Sequence, residues 1–366
     1  MGLFHTLSLL RHGSFCLNRN YKNGKIVPRS EVMQGLEMNP NYISFCLNKM
    51  NHVGAKTRYE TIPCGHCWAC KLNYSAQWAT RLTYECQKSE HNYFVTLTYD
   101  DNHLPIAEKI EIGEKVFYNE GEDFQNEGTV WEPHMKKFLH DLRQYLDRKY
   151  PPQYDENGIK INGMKYFYCM EYGELTHRPH AHIILLNCPL DLSQFYDTHI
   201  DERYKEHWKS TELEKYWPYG MIDIASAEWS NCAYVARYCM KKLHQKNNEE
   251  YAIECKLPEF VRMSKGIGKD YYEKNKKNIY AHDEVIMRTV KGNVGAFKPP
   301  KAWDKIYKEE FPEEWEQIHL NRLQCAERSR EQEKTLNDYS DADKLQMKYE
   351  KINIKAKQLP RVGEWN

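Results

Sequence analysis

The 366-residue sequence contains no apolar run approaching eighteen residues, which excludes a membrane-spanning helix from the reading. Neither charge is in excess: 52 Lys and Arg stand against 52 Asp and Glu. Any binding of nucleic acid must therefore rest on local patches and not on a globally basic chain. No phosphate-binding loop of the G-x4-G-K-[S/T] type occurs, so a fused ATP-driven helicase is not expected. Internal repeats and low-complexity tracts are absent too. The first residues lack the apolar core and small-residue cleavage site of a secretory leader, so a soluble intracellular chain is expected. What is present is ordinary for a folded protein, with 41% hydrophobic and 28% charged residues. The length allows one large domain or two smaller ones. The 27 Tyr and nine Trp are many, and such side chains suit surfaces that stack on bases.

Twelve cysteines without a leader read as thiols or metal ligands before disulfides. Cys64-Gly65-His66-Cys67-Trp68-Ala69-Cys70 stands apart, because two overlapping C-x2-C steps place three soft ligands on one tight loop. His66, Cys16, Cys46 or Cys86 could supply a fourth ligand to a structural zinc ion. An iron–sulfur-like arrangement, or three small buried residues, are equally open at this point.

Residues 1–63 read as an irregular lead-in with short strands. Tyr74, Trp78, Leu82 and Cys86 recur every four residues, which predicts a helix over about 73–88. Tyr93 to Tyr99 is rich in β-branched and aromatic residues and predicts a strand closed by Asp100-Asp101-Asn102. A polar hairpin is expected within 106–132, and a helix from Met135 that ends before Pro151-Pro152. Strands are expected at Tyr166–Tyr172, His180–Leu186 and Gly220–Ile224, and a helix at Glu228–Lys242. The first two of these strands, joined by a short turn, are most simply antiparallel. The stretch 256–301 carries eleven Lys and Arg against five Asp and Glu, a net of +6. A charged, helix-prone tail follows.

Alternate side chains of a strand share a face, so His180 and His182 point the same way and can bind one ion. Glu171 lies across the turn on the preceding strand, while Met170 and Tyr172 point to the opposite face. Glu174 is a further candidate. Two imidazoles and a carboxylate hold a divalent ion with positions left open for a phosphate oxygen. On the helix, Tyr234, Tyr238 and Lys241 fall at i, i+4 and i+7 on one face. Two phenols there can act as nucleophiles, with the lysine stabilising the phenolate or the charge developing on phosphate. Each feature alone has a plain explanation, as filler or packing; their conjunction does not.

Three segments in order, Phe94-Val95-Thr96-Leu97-Thr98-Tyr99, Arg178-Pro179-His180-Ala181-His182 and Tyr234-x3-Tyr238-x2-Lys241, resemble the HUH endonucleases that initiate rolling-circle replication. Pro63 to Cys70, Gln77-Trp78-Ala79-x-Arg81, Met170-Glu171-Tyr172-Gly173 and Met263-Ser264-Lys265-Gly266-Ile267-Gly268 narrow the resemblance to the gokushovirus-type microvirus replication initiators. It runs from about residue 60 to 305 and is most specific over 170–242. Ala181 departs from the larger apolar residue usual between the two His, which should affect packing and not chemistry.

The resemblance implies an α+β fold: a central antiparallel sheet flanked by helices, with an N-terminal Cys-rich element and a helical C-terminal extension. Its divisions are 1–72, irregular with the Cys-rich loop; 73–305, the HUH endonuclease domain with a basic C-terminal part; and 306–366, the charged helical tail. It further implies that His180, His182 and Glu171 hold Mg2+ or Mn2+; Cys64, Cys67 and Cys70 stay, on their spacing alone, candidate ligands of a structural Zn2+. One of Tyr234 and Tyr238 would attack the scissile phosphate, leaving a 5′-phosphotyrosyl bond and a free 3′-OH, and the other would complete strand transfer. Arg237, Lys242, Lys265 and Lys269 would hold phosphates of single-stranded origin DNA, with Tyr271, Tyr272, Phe297 and Trp303 as stacking candidates. Host DNA polymerase and helicase would be partners in the bacterial cytoplasm, without a membrane. Three alternatives are a plasmid or transposon HUH relaxase, a non-catalytic zinc-stabilised single-stranded nucleic-acid-binding protein, and a zinc hydrolase that activates water at the same three ligands.

Overall fold

The computed structural model describes residues 21–22, 25–26, 51–53, 59–61, 68–112, 114–119, 128–156, 158, 160–173, 176–201, 205–242, 248–288, 294–335, 347 and 350. Four short strands come first: β1 (Tyr21–Lys22), β2 (Lys25–Ile26), β3 (Asn51–Val53) and β4 (Tyr59–Thr61). The helix α1 (Trp68–Cys86) leads to β5 (Tyr93–Thr98), the hairpin of β6 (Lys109–Ile112) and β7 (Lys115–Tyr118), and α2 (Glu132–Lys149). The hairpin of β8 (Lys165–Tyr172) and β9 (Pro179–Leu186) follows, then β10 (Phe195–Ile200), β11 (Glu206–Ser210), the single turn α3 (Thr211–Glu214) and β12 (Ile222–Ser226). Next come α4 (Trp229–Lys242), α5 (Asn248–Ile253), β13 (Phe260–Met263), α6 (Lys269–His282), β14 (Val285–Arg288), β15 (Val294–Phe297), α7 (Lys301–Glu310) and α8 (Pro312–Thr335). The chain divides into two compact units, one formed largely by residues 78–271 and the other by the segments on either side. No helix among the described residues is long and apolar enough to cross a membrane.

Seven strands form the sheet of the first unit in the order β10-β11-β12-β5-β9-β8-β13, and every pairing is antiparallel. This is the α+β architecture expected, a central antiparallel sheet with flanking helices. The inner strands β5, β8 and β9 are buried on both faces, which is why they read as nearly continuous apolar and aromatic runs. On one face Tyr93, Val95, Leu97, Tyr168, Met170, Ala181, Ile183, Leu185, Ile222 and Ile224 meet Met135, Phe138, Leu139, Leu142 and Leu146 of α2 in one cluster. The i, i+3, i+4, i+7 spacing of these α2 residues gives the helix its buried stripe, and Pro133 sits at its first turn, where no intrahelical donor is lost.

The opposite face carries α1 and α4. Trp78 of α1 packs on Phe167 of β8 with ring centroids 5.2 Å apart, and α4 lies against β8, β9 and β13. The buried residues of α1 include Cys70, Ser75, Trp78, Ala79, Thr80, Leu82, Tyr84 and Glu85; of the expected stripe Trp78 and Leu82 are buried, Cys86 is half-buried and Tyr74 is exposed. The Met263–Gly268 motif packs here as well. Arg81 Nε donates to the Ile267 carbonyl at 3.0 Å, and Gly268 N donates to Glu85 Oε2 at 2.6 Å. A Cβ on Gly268 would sit 3.1 Å from the Arg81 backbone, and its φ of +75° is one that other residues rarely adopt, so glycine is required there.

In the second unit, Tyr272 and Tyr280 of α6 pack on Trp303 and Tyr307 of α7. Arg322 of α8 closes this layer by donating to both Asp283 and Asp304. Two segments of the sheet differ from the expectation drawn from sequence. The β10–β11 hairpin carries many polar or exposed side chains and β13 is only four residues long, so neither shows the long apolar run of the inner strands.

Phe138 is wholly buried in the α2 face and meets Trp217 edge-on with centroids 5.9 Å apart. Phe138→Ala is expected to lower unfolding stability by about 3–5 kcal/mol in a urea titration. A loss below about 1 kcal/mol would contradict the assignment of this face as the main core.

Candidate active site

The site is built from the register of one hairpin. Glu171 of β8 lies directly opposite His180 of β9, and His182 is opposite Cys169. All four therefore share a face, the one away from α2, while Met170, Tyr172 and Ala181 point into the α2 core. Ala181 is fully buried between Leu97 and Met170, so its small side chain concerns that packing and not the site.

Glu171 Oε1 is 3.2 Å from His180 Nε2 and 3.3 Å from His182 Nε2. Glu171 and His182 are buried, and His180 is partly open to solvent. The outer nitrogens are held from behind. His180 Nδ1 donates to the Arg178 carbonyl at 3.3 Å, and His182 Nδ1 lies 3.0 Å from Thr96 Oγ1. A carbonyl only accepts, so His180 Nδ1 carries a proton, and in the neutral ring its Nε2 presents a lone pair. With Nδ1–H of His182 donating to Thr96, that Nε2 presents a lone pair as well. In these neutral tautomers both ring nitrogens face the Glu171 oxygen, at 3.2 and 3.3 Å, an approach of acceptors that a cation among them would relieve.

A divalent ion fits this set. Donors bound to one ion at about 2.0–2.2 Å lie roughly 3 Å apart, close to the separations found here. The donor atoms of Glu171, His180 and His182 all lie within 4.8 Å of one another. Two imidazoles and one carboxylate on one side leave further positions open to a substrate oxygen. The hydrogen bonds to Thr96 and Arg178 are the outer contacts that fix the tautomer and aim of metal-binding imidazoles.

The helix α4 brings a phenol to the same place. Tyr234 Oη is 3.2 Å from His182 Nε2, and the residue is buried. Phe94 of β5 stacks on the His182 ring at 5.4 Å and meets Tyr234 edge-on at 6.0 Å, so both rings are confined. The Arg237 guanidinium lies 5.4 Å from the Tyr234 ring centroid. Tyr99, Tyr168 and Tyr172 lie on the α2 face, where burial pushes their phenols well above the usual range, and Tyr93 is pushed up to about 12 by the same cause.

The other residues singled out from sequence are dispersed. Tyr238, Lys241 and Lys242 belong to α4, but their side chains lie outside the described residues, as do Glu174, Cys16, Cys46, Cys64, His66 and Cys67. Cys70 is buried in α1, and Cys86 Sγ lies 3.7 Å from Cys232 Sγ. Lys265, in the turn after β13, and Lys269, at the start of α6, are exposed. Tyr271 stacks on Tyr84 with centroids 3.6 Å apart. Tyr272 and Trp303 are almost wholly buried, so neither offers a ring to a base, and their role is corrected to core packing. Phe297 is half-buried. Thr96 and Phe94 belong to the strand and to the resembling segment Phe94–Tyr99 in the sequence, which assigns them no place in the site. Their part in the site depends on the pairing of β5 with β9, which places Thr96 opposite His182 and Phe94 opposite Ile184.

If Thr96 orients the ligand nitrogen of His182, Thr96→Val should lower Mn2+ affinity about 10–100-fold in isothermal titration while leaving the fold intact. An unchanged affinity would contradict that role.

Comparison with known proteins gives the same segment. A family model described as replication-associated protein ORF2/G2P matches residues 92–243, from the start of β5 to the end of α4. The chain is 32% identical over 356 residues to the replication-associated protein ORF2 of Spiroplasma virus 4, covering 96% of this chain and 94% of that one. It is 28% identical over 255 residues to the replication-associated protein VP4 of Bdellovibrio phage phiMH2K, covering 69% of each. With the replication-associated protein ORF4 of Chlamydia phage 1 the identity is 26% over 213 residues, 58% of this chain and 46% of the other. No solved structure matches. Near-complete coverage by a relative of that identity settles the family: the chain belongs to the microvirus replication-associated proteins, which act in the initiation of phage DNA replication.

Proposed function

We propose that the chain performs this role as an HUH endonuclease, nicking single-stranded origin DNA by tyrosine attack and later rejoining the displaced strand. The observation that carries the reading is the Tyr234 phenol oxygen, 3.2 Å from a nitrogen of the His180–His182–Glu171 cluster. A nucleophile held beside a cluster that binds phosphate oxygens through a divalent ion has its reacting partners within one phosphate's width.

His180, His182 and Glu171 would hold Mg2+ or Mn2+, which when bound supplies Lewis-acid polarisation of the scissile phosphate. The protein's own residues do the rest. Thr96 and the Arg178 carbonyl hold the two imidazoles in aim, and Phe94 with α4 limits the movement of Tyr234. Tyr234 Oη forms a bond to phosphorus as the bond to the 3′-oxygen breaks, and the phenol's proton is balanced by the one gained at the 3′-OH. One phosphodiester replaces another, so the reverse transfer needs no ATP. Lys241 would stabilise the phenolate, and Tyr238, one helical turn on, would serve as the second nucleophile for strand closure. Arg237, Lys242, Lys265 and Lys269 would hold neighbouring phosphates. Cys64, Cys67 and Cys70 would belong to a structural zinc site outside this chemistry. Host polymerase would extend the free 3′ end, with a host helicase opening the duplex in the bacterial cytoplasm.

A labelled single-stranded origin oligonucleotide incubated with the chain and Mn2+ should give a protein–DNA band that survives denaturation. Tyr234→Phe and Tyr238→Phe should each change the pattern, and the double variant should abolish it. Cleavage that yields a free 5′ end and no covalent product would replace this reading with metal-activated hydrolysis. An adduct retained in the double variant would move the nucleophile elsewhere.

A further inference from the structure

On the same face of the sheet, toward its other edge, a second group of ligand-type side chains converges from three strands. Its members are His199 of β10, His207 of β11 and Asp223 of β12, whose donor atoms lie within 4.8 Å of one another. We propose that these three residues bind a second divalent cation of the zinc class, separate from the site at His180, His182 and Glu171. The inference does not depend on the nicking chemistry.

The register explains the convergence. Asp223 is paired with Thr96, and Thr96 with His182, so Asp223 lies two strands from the first site, roughly 10 Å along the sheet. His207 is paired with Ala225, and Ala225 with Phe94, which sets His207 on the same face. Ala225 has too small a side chain to keep His207 from leaning toward Asp223. His199 is directly opposite His207, but only because β10 carries one extra residue between Tyr196 and His199. Asp197 within that bulge has φ +53°, a left-handed conformation that Asp adopts more readily than most residues. Bulges of this kind re-aim side chains, and here the result is a pair of stacked imidazoles 5.2 Å apart at 25°.

The atoms are arranged as a ligand set with its outer support. Asp223 Oδ2 is 2.7 Å from His207 Nδ1, and Asp223 Oδ1 is 3.8 Å from His199 Nε2. The other nitrogen of His207, Nε2, faces Asp201 Oδ2 at 3.6 Å. Asp201 Oδ1 is itself fixed by the backbone N–H of Lys205 at 2.8 Å. The placement of Asp201 behind the ring resembles the carboxylate–histidine–metal pattern, in which a small approach of the 3.6 Å pair would let the nitrogen away from the ion donate to a fixed carboxylate. A simple His–Asp pair would account for His207 and one carboxylate. A protonated His207 held between Asp223 and Asp201 accounts for the second carboxylate too, but not for the second imidazole that the bulge turns onto Asp223. Two nitrogens and a carboxylate suit Zn2+ among the common ions, with a fourth position for water on the side where His199 is exposed.

The test is zinc content of the full chain, stripped with chelator and dialysed against Zn2+. His199→Ala and Asp223→Asn should each bind one equivalent less than the parent, and Asp201→Asn should keep the ion with about 10–100-fold lower affinity. Glu171→Gln and Cys64→Ser should both retain this equivalent, which separates it from the first site and from the Cys-rich loop. In the parent chain, stoichiometric Co2+ should broaden the histidine ring signals of His199 and His207 together, a readout that needs no variant to fold. The proposal is overturned if His199→Ala and Asp223→Asn bind as many equivalents as the parent at the same affinity, or if both ring signals stay sharp.

Discussion

The pairing of β8 with β9 is the constraint on which the candidate chemistry depends. Glu171 opposite His180 places a carboxylate and two imidazoles on one face only while that register holds. A slip of one residue would turn His180 and His182 into the α2 core and bring Ala181 and Ile183 to the site. The register is protected by what that slip would expose or bury. Tyr168, Met170, Ile183 and Leu185 are nearly inaccessible on the α2 side, and buried polar imidazoles in their place would lack partners. The apolar face thus specifies the position of the polar one.

The polar face has a different physical problem, since Glu171 and His182 are almost entirely withdrawn from water. Burying such groups is unfavourable unless each lone pair and proton is answered. Thr96, the Arg178 carbonyl and the Tyr234 phenol answer several of them, and the proposed divalent cation would answer the rest. Stability and activity are therefore coupled at this face. A site assembled on two inner strands of a seven-stranded sheet is held rigidly, and the helix bearing Tyr234 packs directly on those strands. Rigidity of that kind suits a reaction in which one phosphodiester is exchanged for another and alignment supplies much of the rate.

How much of this was legible in the sequence varies with the distance over which it is decided. Alternation along β8 and β9 is local, so the shared face of Glu171, His180 and His182 could be read directly, as could the inner strands and α2. The helical register of α4 placed Tyr234 on a defined face, though not beside His182, because that requires the packing of α4 on the sheet. Thr96 and Phe94 became part of the site only through the pairing of β5 with β9, a contact 86 residues away in sequence for Thr96 and His182. The His199–His207–Asp223 group was invisible for a similar reason, since a one-residue bulge on an edge strand decides where His199 points. Tyr272 and Trp303 showed the opposite difficulty. Their aromatic character inside a basic stretch suggested an exposed binding surface, but the packing of α6 on α7 buries them.

The central physical claim is that one cation sits among the Glu171, His180 and His182 donors with the Tyr234 phenol oxygen next to it. Anomalous X-ray scattering from crystals of the chain grown with Mn2+ measures this without reference to activity. One manganese peak within bonding distance of Nε2 of both histidines and of a Glu171 oxygen, adjacent to Tyr234 Oη, is the expected result. A density map with no anomalous peak between those donors at saturating Mn2+, or with Tyr234 turned away from them, would contradict it.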